Sequence, residues 1–110
     1  MDFLQTTLCY LEKDGCYLML HRVKKKNDAN HDKWVGVGGK FEPGEDALAC
    51  VMREVTEETG LTMQAPAYRG IVDFYCTPWP AERMHLYTCT QFAGTMTDCS
   101  EGMLEWVPKQ

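Results

Sequence analysis

The chain has 110 residues, of which 45% are hydrophobic and 25% charged, and its formal net charge is −5. That balance suits a single soluble domain (residues 1–110) with a sizeable core, and it excludes a surface that captures a nucleic-acid polymer through an overall positive field. No apolar run approaches the ~18 residues of a membrane span, and residues 1–15 lack a basic stretch ahead of an apolar one, so neither a membrane partner nor a secretory signal is expected.

In chain order, residues 3–11 are rich in β-branched and aromatic side chains and predict a strand. Asp14-Gly15 is a hairpin turn signal, and residues 16–23 form the return strand. Residues 21–33 (HRVKKKNDANHDK) are a polar loop with a local basic cluster. Most of its lysines read as solvated, while Arg22 at the strand end, or one of Lys24, Lys25 and Lys26, is placed to meet phosphates. Residues 34–39 (WVGVGG) are a short apolar strand running into glycines, which permit close backbone approach. Trp34 reads as core or pocket lining.

A helix follows. Asp46 is its N-cap and Gly60 its C′ residue, with Leu48, Val51 and Val55 as one buried stripe. Beyond it, residues 69–76 alternate as a strand, and residues 77–82, with Pro78 and Pro80, are a loop. Residues 83–92 alternate again, with Met84, Leu86, Thr88 and Thr90 on one face. Tyr75, Trp79 and Tyr87 read as aromatic packing, residues 94–102 as a loop, and residues 103–107 as a last strand. Cys9, Cys16, Cys50, Cys76, Cys89 and Cys99 lack the CxxC spacing of a zinc site and fall mostly in apolar stretches. They read as free thiols of a reducing, cytoplasmic compartment.

The helix carries its acids at the wrong end. Glu54, Glu57 and Glu58 share a face at i, i+3 and i+4 near the C-terminus, where each opposes the helix dipole at a cost of about 0.3–1 kcal/mol. Glu54 and Glu58 also form a like-charged i,i+4 pair, which Arg53 offsets in part through Glu57. Clustered carboxylate oxygens are what a hard divalent cation requires, and a local breach of stability rules points to function. The full pattern runs Gly39, Glu45, Arg53-Glu54, aliphatic Val55, Glu57-Glu58, Gly60 and aliphatic Leu61: nine specified positions in 23 residues.

That pattern resembles the Nudix box at every fixed position, and the chain is similar to Nudix hydrolases over most of its length. WVGVGGKFEPGE, the first strand and the closing EGMLEWVP resemble the 8-oxo-dGTP diphosphatase, or MutT-like, branch. The resemblance implies an α+β fold (an α/β/α sandwich): a mixed β-sheet packed between helices, with the box as a loop-helix-loop. It implies hydrolysis of a small nucleoside triphosphate to monophosphate and pyrophosphate. Another nucleoside diphosphate-X, such as ADP-ribose or a dinucleoside polyphosphate, is the alternative substrate class, and a catalytically silent nucleotide-binding module a further one. Glu54, Glu57 and Glu58, with the main chain at Gly39, would bind Mg²⁺, or Mn²⁺ in its place. Arg53 would orient the glutamates and Glu45 and Gly60 would support the box. Arg22, Gly39 and Lys40 would contact substrate. One box glutamate, Glu54 or Glu57, or Glu101 in the loop before the last strand, would take a proton from the attacking water. Val35 stands where some members use an asparagine to read an oxidised purine, and the family's usual C-terminal helix is not expected within these 110 residues.

Overall fold

The computed structural model describes residues 3–22, 34–75, 77–99 and 102–109. Its elements are β1 (Leu4–Lys13), β2 (Cys16–His21), β3 (Trp34–Val35), α1 (Ala47–Thr59), β4 (Leu61–Gln64), β5 (Ala67–Phe74), β6 (Glu82–Cys89), β7 (Gln91–Gly94) and β8 (Met103–Pro108). Six strands form one mixed sheet in the order β3-β2-β1-β6-β5, with β8 antiparallel to β2 along its whole length. β1 and β6 are parallel and in register from Leu4↔Glu82 to Leu11↔Cys89. β4 and β7 make a separate antiparallel pair. The class is therefore α+β, and α1 is the one helix among the described residues.

β1 is the axis of the molecule. Its residues Thr7, Cys9 and Leu11 are buried and turn toward α1, whose Val51 and Val55 are fully buried. Leu61 and Met63 of β4, with Tyr87 and Cys89 of β6, complete that core. Its even residues, Leu4, Thr6, Leu8 and Tyr10, floor a cavity on the other side. β1 pairs with β2 only at the turn, where Glu12 and Lys13 face Tyr17 and Cys16. The two strands then part, and the segment after β3 fills the gap. Val37 and Lys40 bridge Cys9 and Thr6, and backbone bonds link Thr7 N to Gly39 O (2.9 Å) and Phe41 N to Gln5 O (3.0 Å).

Several expectations are corrected. Leu48 does not join the buried stripe, being 51% exposed, because the core closes on Val51, Val55 and Cys50 instead. The strand expected over residues 34–39 pairs as a strand only at Trp34–Val35, since the glycines that follow approach β1 too closely for a regular ladder. The strand expected over residues 83–92 divides at Thr90: β6 stays in the large sheet, while β7 leaves it to pair with β4, an element the sequence reading missed. Tyr87 and Cys89 are the buried residues of β6. Glu82, assigned to a loop, is the first residue of β6. Among the described cysteines, Cys9, Cys16, Cys50, Cys89 and Cys99 are free, and burial pushes the Cys9 thiol up to about 12.

Candidate active site

The box is assembled by short-range chemistry. Asp46 is extended (φ −97°, ψ 179°), and its Oδ1 accepts from Ala49 N at 2.8 Å, fixing the start of α1. Gly60 ends the helix at φ 81°, donating its N–H to Thr56 O at 2.9 Å. Between these caps Arg53 gathers the acids. Its Nε and Nη2 donate to the two Glu45 oxygens at 2.6 and 2.9 Å, a bidentate pair. Nη1 donates to Glu54 Oε2 at 2.9 Å and Glu57 Oε1 at 3.0 Å, and Nη2 also reaches Lys40 O at 3.0 Å. Glu45 closes the circuit by accepting from Glu42 N at 2.7 Å. The Arg53 guanidinium and that backbone N–H hold the Glu45 carboxyl down at about 2, and the acids in turn push the Arg53 pKa up.

The three helical carboxylates occupy different depths. Glu57 is 58% exposed, Glu54 15% in its side chain, and Glu58 only 6%, with both oxygens out of contact with solvent. Glu54 reaches the cavity past Gly39, where a Cβ would stand 2.5 Å from its carboxylate. Gly38 serves a different closeness: a Cβ there would lie 1.9 Å from Thr7 O. The Gly39 carbonyl accepts from Thr7 N and from the buried Cys50 thiol (3.5 Å). Among the described residues no three carboxylate, imidazole or thiol groups converge as an ion site as they stand, and Glu54 and Glu57 share the Arg53 Nη1.

The adjoining cavity has a volume of about 570 Å³. Arg22, Gly39, Lys40 and Glu54 all line it, so two of the cations singled out for phosphate contact share the cavity with Glu54. Trp34 lines it too, 44% exposed and stacked on His21 at 4.4 Å, which makes it a pocket wall rather than core. Glu101, Lys24, Lys25 and Lys26 lie outside the described residues. One lining group was missed entirely, the Glu82 carboxylate. The period-2 pattern of residues 83–92, extended one residue back, would have placed it on the Met84 face.

A strand-loop-helix that seats clustered glutamates around one arginine, beside an open cavity on a mixed sheet, defines a family. The chain belongs to the Nudix family, whose NUDIX domain model matches residues 4–110. It is MutT-like in sequence and fold. It is 30% identical over 115 residues to the uncharacterized Nudix hydrolase YvcI of Bacillus subtilis, covering 96% of this chain and 67% of that one. It is 29% identical over 83 residues to the oxidized purine nucleoside triphosphate hydrolase of Mus musculus, covering 74% of this chain and 53% of the other, so it spans about half that relative's length. The crystal structure of the mMutator MutT protein from Bacillus halodurans superposes with a TM-score of 0.79 at 30% identity, covering 97% of this chain and 69% of that one.

Proposed function

We propose that the chain hydrolyses a nucleoside triphosphate, of the oxidised purine class, to a monophosphate and pyrophosphate by attack of water. The observation that carries this reading is the Arg53 circuit, which holds Glu45, Glu54 and Glu57 at 2.6–3.0 Å at the edge of the cavity. The substrate class is supported by the likeness to the mouse hydrolase.

The residues suit a hard divalent cation: three carboxylates, two of them largely withdrawn from solvent, beside a glycine that admits Glu54. Glu54, Glu57 and Glu58 would hold Mg²⁺ or Mn²⁺, with the main chain at Gly39 alongside. When bound, such an ion neutralises phosphate charge and lowers the pKa of water. The rest is done by side chains of this chain. Arg53 and Glu45 keep Glu54 and Glu57 aimed. Arg22 and Lys40 bind phosphate oxygens from the cavity wall. A carboxylate, Glu54 or Glu57 or the loop acid Glu101, accepts the proton of the attacking water.

The test is incubation with Mg²⁺ and a panel of dGTP, 8-oxo-dGTP, ADP-ribose and dinucleoside polyphosphates, with products identified. Pyrophosphate plus monophosphate from the oxidised triphosphate is expected. Orthophosphate would contradict the position of attack, turnover only of ADP-ribose or dinucleotides would move the substrate class, and binding without turnover would favour the silent module.

A further inference from the structure

The cavity wall away from the box carries a carboxylate that hydrolysis does not use. Glu82 opens β6, opposite Leu4 on β1 and Phe74 on β5. Its Oε2 accepts from Thr6 Oγ1 at 2.8 Å, and Leu4, Phe74 and Met84 line the cavity around it. The adjacent Arg83 points to the opposite face, where its Nε and Nη2 bind Asp73 at 2.8 and 3.0 Å and its guanidinium lies 4.3 Å from the Phe3 ring. Half-burying an acid on an apolar wall is unfavourable unless something accepts its lone pairs. The Thr6 hydroxyl uses one of them and fixes the carboxylate in place, leaving acceptor capacity on both oxygens.

The position suits one end of a nucleotide. β1 is bordered by the glycine segment on one edge and by β6 on the other, so Glu82 stands about two strand spacings, ~10 Å, from the box side. Phosphates held by Arg22 and Lys40 would leave the base at this wall. Two adjacent acceptors ask for two adjacent donors. The guanine edge offers them, a ring N–H next to an exocyclic amino group. Adenine and cytosine set one amino group beside an acceptor nitrogen, and uracil sets one N–H between two carbonyls.

We infer that Glu82, braced by Thr6, is a specificity-determining residue that reads the base of the substrate and selects guanine-type purines. The inference rests on the nucleotide-hydrolase reading. Oxidation at C8 leaves the ring N–H and amino group in place, so Glu82 accepts oxidised and ordinary guanine alike.

The test is calorimetric titration of the folded chain, without metal, with dGMP, 8-oxo-dGMP and dAMP, repeated on Glu82→Gln and Glu82→Ala, with triphosphate turnover measured in parallel. The wild type should prefer both guanine nucleotides to dAMP by at least roughly tenfold. Glu82→Gln, which presents one acceptor and one donor, should lose that preference and gain affinity for dAMP. Glu82→Ala should lose it without that gain. An unchanged dGMP-to-dAMP ratio in folded Glu82→Gln overturns the inference, as does a wild type that binds no dGMP. A Glu82-dependent preference in a protein that hydrolyses no triphosphate would sink the hydrolase reading and leave the base reading standing. Turnover with a base preference indifferent to Glu82 would do the reverse.

Discussion

Arg53 is the residue on which the site turns. It makes five bonds to Glu45, Glu54, Glu57 and Lys40 O, and no other side chain has five donors in one planar fork. Arg53→Lys keeps the charge and loses the fork. It should cost about 2 kcal/mol of stability and roughly 100-fold in kcat, because the glutamates lose their alignment; urea unfolding and steady-state kinetics would check both. Glu45 predicts the acid limit. Its folded pKa, about 2, lies below the ordinary 4.5, so its contribution is complete above pH 4.5 and disappears as pH falls from 4.5 to 2. Thermal melts should show the wild type losing more stability across that window than Glu45→Gln, which should be less stable at neutral pH. Spacing made the Arg53–Glu57 pair legible, since the two lie one helical turn apart, while the parts of Glu45 and Glu54 were implied by the family resemblance. It did not expose Leu48 as a surface residue, since helical period cannot tell which edge of an apolar stripe the sheet covers. Nor did it expose Glu82, whose strand begins directly after a proline-rich turn.

At the scale of elements, two adjacent glycines do separable work. Gly38 makes room for β1 and Gly39 makes room for Glu54. Gly38→Ala would drive a Cβ to 1.9 Å from the Thr7 carbonyl, a backbone atom that cannot yield, and should cost about 3 kcal/mol. Gly39→Ala meets only the end of a side chain, so its melting temperature should stay near that of the wild type. Turnover should fall by about 100-fold as Glu54 is displaced. Circular dichroism melts set against kinetics for the two variants would decide this, and equal loss of fold in both would refute the division. The turn chemistry of Asp14-Gly15 and the caps at Asp46 and Gly60 could be read locally. The departure of β7 to pair with β4 could not, because strand partnership is a long-range choice that alternation does not encode.

For the molecule as a whole, β1 divides the labour. Its odd face packs on α1 and holds the box still, and its even face forms the cavity floor between the box and Glu82. The family pattern was therefore readable from one 23-residue stretch, whereas the wall inferred to read the base is assembled from β1, β5 and β6, which only folding brings together. The central claim is that the clustered glutamates act on a nucleotide through a divalent cation. Its most direct test is the Mg²⁺ dependence of turnover in wild type and Glu57→Gln. Glu57 is 58% exposed, so the variant should keep the wild-type fold to within about 0.5 kcal/mol. Chelation should abolish wild-type turnover and Mg²⁺ restore it, while folded Glu57→Gln should stay at least ~100-fold below wild type at saturating Mg²⁺. Wild-type turnover that survives chelation, or full activity in Glu57→Gln, would contradict the account.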